Sequence, residues 1–159
     1  MSNGEQQKFV PAFFVDIVEK GETFPLGDWP LHITLFPPIL APYLGRYGEQ
    51  LRSTVNAMSP FDVTVGEDDK FGPNKDLPVL RIAESPRLRA LHGELVGALA
   101  NLMHDPTYRQ PYNPHISKIP GMAIETGDII NIGGFSIVEK KNGLWMVTDK
   151  IGLRGKNND

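Results

Sequence analysis

The apolar and polar positions along the chain alternate or recur in stretches that predict successive elements. Residues 10 to 17, "VPAFFVDI", read as a strand. After the turn-rich loop "EKGETFPLGDW", "LHITLF" at 31 to 36 reads as a second strand, ended by Pro37 and Pro38. Between Pro42 and Met58 the apolar residues Leu44, Tyr47, Leu51, Val55 and Met58 recur every three or four positions. This is the stripe of an amphipathic helix, weakened somewhat by Gly45 and Gly48. "FDVTV" alternates as a strand does, "EDDKFGPNKD" reads as a loop, and "LPVLRIA" as a further strand. Ser85 followed by Pro86 is an N-cap and first-turn signal. The helix it opens carries Leu88, Leu91, Leu95, Leu99 and Leu102 and should end near His104. The polar loop "HDPTYRQPYNP" leads into "HISKI", and "DIINI", "FSIVEK" and "LWMVTDKIGL" follow, the last two joined by a tight turn at Asn142 and Gly143. The tail "RGKNND" reads as frayed.

Two helices among seven or eight strands define an α+β fold in which each helix is expected to cover a sheet face. Each half of the chain holds a strand, a connection, a strand with a His-Ile-hydroxyl phrase and one long helix. The helix follows that phrase in the first half and precedes it in the second. The reading is therefore a single domain over residues 1–159, made of two similar lobes, not a strict tandem repeat.

At 159 residues the chain can bury roughly 70% of the surface its unfolded form exposes, enough for a conventional core. With no cysteine, disulfides, thiolate catalysis and cysteine-ligated zinc are excluded, which fits a cytoplasmic location. The apolar run "FVPAFFV" is broken by Pro11 and preceded by no basic region, so it does not read as a signal peptide. No stretch approaches the roughly 20 apolar residues of a membrane span, and no membrane partner is expected. Net charge is −3, which disfavours adhesion to long nucleic acid by counterion release. The cations Arg87, Arg89, Arg109, Lys118, Lys140, Lys141, Lys150, Arg154 and Lys156 lie in the second half, whereas "GEDDK" concentrates acid in the first. Scattered charges of this kind usually form a solvated surface, and a monomer is expected.

The chain has four histidines, and two of them share one phrase. His32-Ile33-Thr34 recurs as His115-Ile116-Ser117. Side chains alternate across a strand, so His32 and Thr34 point together, as do His115 and Ser117, while Ile33, Leu35 and Ile116 point to the opposite, core face. By the same rule Phe36 and Ile119 share the histidine side and Lys118 points away. If the two strands meet across a cleft, two imidazoles and two hydroxyls converge on a volume suited to a phosphate. An imidazole titrates near pH 6.5, so one can remove a proton from an attacking water or hydroxyl while the other gives one to a departing ribose oxygen. The hydroxyls can bond the nonbridging oxygens where charge gathers.

These phrases, 83 residues apart, resemble the paired H-h-[ST]-h signature of the two-histidine (2H) phosphoesterases, where h is hydrophobic. That family includes cyclic nucleotide phosphodiesterases and bacterial 2′-5′ RNA ligases. The likeness runs from "PAFFVDI" through "LHITLF", "VLRIAESPRLRALHGELVGAL" and "NPHISKI" to the closing strands. It implies a bilobal α+β fold of two antiparallel sheets with flanking helices, pseudo-twofold about a central cleft, and hydrolysis or transfer at 2′-linked phosphates without metal or cofactor. By position His32 and His115 resemble the acid-base pair, and Thr34 and Ser117 the phosphate binders. Lys118 departs from the hydrophobic residue of the motif. The loop before His32 is too short for the helix many relatives carry there, which leaves one side of the cleft more open.

Weighed one at a time, other features read as structural. His92 beside a helix stripe and His104 in a last helical turn are structural or surface residues. His-x-Thr gives one good metal ligand where several are needed, and "NIGG" and "FGPNKD" lack a P-loop's lysine and spacing. Phe36, Tyr112 and Trp145 are candidates to stack on a nucleobase, although a strand aromatic is more often core. Tyr112 and Asn113 can rim the cleft, and Arg109 and Lys118 are weaker phosphate contacts. The expected substrate is a nucleotide or short RNA: a 2′,3′-cyclic phosphate end, a 2′-5′ linkage or a small oligonucleotide. Ligation by the reverse reaction, destruction of a cyclic oligonucleotide messenger, and a non-catalytic module gripping an RNA end are the alternatives.

Overall fold

The computed structural model describes residues 7–25, 27–41, 44–99 and 112–155. The end of the second helix beyond Leu99, Leu102, His104, Arg109 and most of the polar loop before Tyr112 lie outside the described residues.

Period-two stretches become strands, and short ones pair in unexpected company. The strands are β1 (Gln7–Phe14), β2 (Thr23–Pro25), β3 (His32–Thr34), β4 (Ile39–Ala41), β5 (Phe61–Phe71), β6 (Leu77–Ile82), β7 (His115–Ser117), β8 (Ile129–Ile132), β9 (Gly134–Lys141) and β10 (Leu144–Gly152). The helices are α1 (Leu44–Val55) and α2 (Pro86–Leu99). All strand pairings are antiparallel. Strands run in the order β2-β10-β9-β1-β3-β7-β6-β5-β8, with β4 beside β1. Where two sheets are expected from the resemblance, hydrogen bonding is continuous, and the short strands β3 and β7 join the two sides at Ile33 and Ile116.

One core lies behind this sheet. Ile33 and Ile116, fully buried, pack with Phe9, Phe13 and Leu80 against Leu51 and Val55 of α1 and Leu88, Leu91, Leu95 and Leu99 of α2. Both helices thus serve the same face, instead of one face each as the sequence suggests. Ser85 caps α2, its Oγ accepting from the Leu88 amide at 3.1 Å. The other face carries a smaller cluster, Val10, Ala12, Phe14, Phe24, Val138, Trp145 and Val147, which covers only the β1-β9-β10 side. The middle of that face is left open, and the histidines stand there.

The acidic stretch read as a loop is strand. β5 continues through Glu67, Asp68, Asp69 and Lys70 to Phe71, pairing residue by residue with β6 up to Phe71 opposite Leu77. Poor strand propensity is overridden by hairpin pairing, and the acids remain at or near the surface. A register shift between Val65 and Asp68 marks a bulge, where a Cβ on Gly66 would meet the Arg81 carbonyl oxygen at 3.1 Å. The β9-β10 turn forms as its sequence predicts, with positive φ of 52° at Asn142 and 79° at Gly143.

Candidate active site

The antiparallel register between β3 and β7 builds the site. With Ile33 opposite Ile116, His32 stands opposite Ser117 and Thr34 opposite His115. Each histidine thus faces the hydroxyl of the other phrase, and all four side chains share the face away from the core. The two histidines are diagonal neighbours, for which backbone separation is roughly 7–8 Å. Their fields meet, since His115 is among the causes acting on the His32 pKa.

Both rings are held alike. His32 Nδ1 lies 2.9 Å from the Pro30 carbonyl oxygen, and His115 Nδ1 lies 2.8 Å from that of Asn113, in each case two residues back. A carbonyl only accepts, so each Nδ1 carries a proton and donates it, leaving each Nε2 for proton transfer. Burial holds the His32 pKa below its ordinary 6.5; the Pro30 bond opposes this and His115 reinforces it. The two environments otherwise differ. His32 is packed by Trp29 at 4.8 Å and Phe14 at 5.7 Å between ring centroids, whereas Phe71 meets His115 edge-on at 4.6 Å.

A cavity of about 450 Å³ opens beside His32, Thr34 and Ser117, walled by Trp29, Leu31, Pro38, Ile119 and Trp145. Trp145, singled out in the sequence, lies here against Trp29, with centroids 5.2 Å apart. Sequence reasoning passed over Trp29 and Phe71: the first sits in a loop without periodicity, its nearest signal being its place three residues before His32, and the second in the stretch read as loop. A second cavity of about 410 Å³ lies beside the segment leading into His115, walled by Arg81, Glu84, Ser85, Arg89, Tyr112 and Asn113.

One other expectation is corrected. Phe36 does not share the histidine face: β3 ends at Thr34, alternation stops there, and the ring is 1% exposed within the core. Tyr112 stands on the wall of the second cavity, not of the one beside His32. Its hydroxyl donates to the Thr34 carbonyl at 2.9 Å and its ring stacks on His92 at 4.1 Å, so it ties the approach to β7 onto β3. Lys118, expected to point away from the histidines, borders the His32 cavity but sends its ammonium to Asp68, which stands opposite the core-facing Leu80. Asn113 is exposed, and its carbonyl orients His115. Among the described residues no group of three or more acidic, histidine or cysteine side chains is arranged to hold a metal, and no helix is long and apolar enough to cross a membrane.

A strand-borne histidine pair over an antiparallel sheet with two helices is the arrangement of the two-histidine phosphoesterases. The chain belongs to the 2′-5′ RNA ligase superfamily within them, whose family model matches residues 16–119. Solved structures agree at the level of fold. TT0787 of Thermus thermophilus aligns with TM-score 0.66 and 18% identity over 94% of this chain and 100% of its own. Escherichia coli LigT complexed with 3′-AMP aligns at TM-score 0.64 and 16% identity over 94% and 99%. Kluyveromyces marxianus Usb1 aligns at 0.51 and 13% over 92% and 97%. No curated protein sequence matches the chain significantly.

Proposed function

We infer that this protein is a metal-independent phosphoesterase that hydrolyses 2′,3′-cyclic phosphates or 2′-5′ phosphodiester bonds of small nucleotides by paired-histidine catalysis. The observation that carries the reading is the β3-β7 register, which sets each histidine against the other phrase's hydroxyl on one open face. Family membership and a structure of LigT with 3′-AMP support a nucleotide ligand. The matched Nδ1 anchors support a pseudo-twofold site between two lobes of one domain.

His32, kept neutral by its burial, takes a proton from the attacking water through Nε2. That water bonds to phosphorus, the bond to one ribose oxygen breaks, and His115, protonated, delivers a proton to that oxygen. Thr34 and Ser117 hydrogen-bond the nonbridging oxygens as charge develops there. Stacking on Trp29 and Trp145 holds the base in the apolar cavity beside His32. With a ribose 5′-hydroxyl in place of that water, the same groups join a cyclic phosphate end to it: its oxygen bonds to phosphorus, one P–O bond of the cyclic phosphate breaks, and the freed ribose oxygen takes the proton.

Turnover of adenosine 2′,3′-cyclic phosphate and of 2′-5′ oligoadenylate in EDTA tests the reading. Each of His32→Ala and His115→Ala should lower kcat by about 100-fold or more. Binding without turnover by the unaltered protein would leave only a nucleotide-gripping module, and activity that returns only with added metal would reject the mechanism.

A further inference from the structure

The two cavities near the histidine phrases differ in lining. The one beside His32 is walled mainly by tryptophan, proline and aliphatic side chains. The other carries Arg81, Arg89, Glu67, Glu84, Ser85 and Asn113 among apolar Ile82, Leu88 and Pro114. Arg81, on the wall of this second cavity, is the direct cross-strand neighbour of His115 on β6. Directly opposed residues have Cβ atoms about 4.5–5.5 Å apart, so the guanidinium rises from the same face as the imidazole.

The state of Arg81 separates it from the other cation there. Arg89, on α2, is engaged by both carboxylate oxygens of Glu84, its Nη2 donating to Oε2 at 2.8 Å. Arg81 makes a single 3.3 Å contact, from Nη1 to Asp69 Oδ2, and its side chain is 52% exposed. So long and exposed a pair contributes little to folding. It does fix a fork of five N–H donors at the mouth of the cavity with most of them still facing solvent.

We propose that Arg81, oriented by Asp69, is a specificity-determining residue that binds a second phosphate of the substrate, on the nucleotide occupying the His115-side cavity. The proposal rests on the phosphoesterase reading and adds a substrate class: dinucleotides or longer, with a nucleoside on each side of the reacting phosphorus and a further phosphate on the second. A cyclic mononucleotide fills the His32 side alone and leaves Arg81 unused.

Steady-state kinetics on adenosine 2′,3′-cyclic phosphate and on a 2′-5′ diadenylate bearing a phosphate on its second nucleoside test this. For Arg81→Gln, kcat/KM on the phosphorylated dinucleotide should fall roughly ten-fold or more, mostly through KM, as for the loss of a charge-assisted hydrogen bond. Its turnover of the cyclic mononucleotide, measured in the same preparation and so reporting that it folds, should stay within about two-fold, where a merely structural role would lower both. Arg81→Lys should recover part of the loss, and Asp69→Asn should raise KM for the dinucleotide less than Arg81→Gln does. Equal losses on both substrates, or no loss on either, would overturn the role of Arg81 while leaving the phosphoesterase reading intact. If the unaltered protein turns over neither substrate, that reading falls and the proposal with it.

Discussion

The carbonyl oxygens of Pro30 and Asn113 limit what His32 and His115 can do, because by accepting from Nδ1 they leave Nε2 as the ring atom able to take up a proton. That His32, Thr34, His115 and Ser117 share one face was legible because period-two alternation within a strand needs no knowledge of the fold. Phe36 was misread because that rule was carried past Thr34, where the strand stops. Trp29 was invisible because its place beside His32 depends on a loop, and loop geometry is not written in periodicity. A titration prediction belongs to this scale. His32 and His92 both have pKa values lowered chiefly by burial, so near and below their ordinary 6.5 the unfolded chain binds more protons than the folded one. By linkage, stability then rises with pH and is lost as pH falls below 6.5 towards the lowered values. Chemical denaturation from pH 7.5 to 5 should show this decline, and His32→Gln should flatten it in part, with His92→Gln taking a further part. A decline that is unchanged in both variants would assign it to other groups.

Hairpin β5-β6 shows how an element can contradict its own composition. "EDDK" has few residues that favour strands, yet pairing with β6 carries it to Phe71, and the result is functional in position: Asp69 meets Arg81 and the Phe71 ring meets His115. Local propensity could not reveal this, since the pairing partner supplies the order. The short strands β2 and β4 were missed for a related reason, each being three residues without room for a pattern. By contrast, the α2 leucines, the Ser85 cap and the β9-β10 turn were readable, because each rests on contacts between residues near in sequence. The bulge at Gly66 offers a test of the hairpin. An added methyl would press on the Arg81 backbone oxygen at 3.1 Å, and backbone cannot swing aside as a side chain can. Gly66→Ala should therefore cost about 1–3 kcal/mol in urea denaturation. It should also raise KM for the phosphorylated dinucleotide by displacing Arg81. A variant as stable as the unaltered protein would show that the bulge relaxes freely.

Both helices lie behind the sheet, and this arrangement leaves the histidine face open at its centre. The sequence shows two amphipathic helices but not which face they cover, since an apolar stripe matches either side of a sheet. Charge is the other property of the whole chain that bears on substrate. With a net charge of −3, and with Arg81 and Lys118 beside the site each paired to an aspartate of β5, no extended basic track is present among the described residues for a long strand to follow. Binding should draw on a few local phosphate contacts. For 2′-5′ oligoadenylates of increasing length titrated into the inactive His32→Ala variant, affinity should level off once both cavities are filled. If two phosphates are neutralised, the slope of log K against log salt should be about −1.4, as for two contacts to a single strand. An affinity that keeps climbing with length, with a slope that steepens alongside it, would mean that RNA is gripped over a surface far wider than the two cavities.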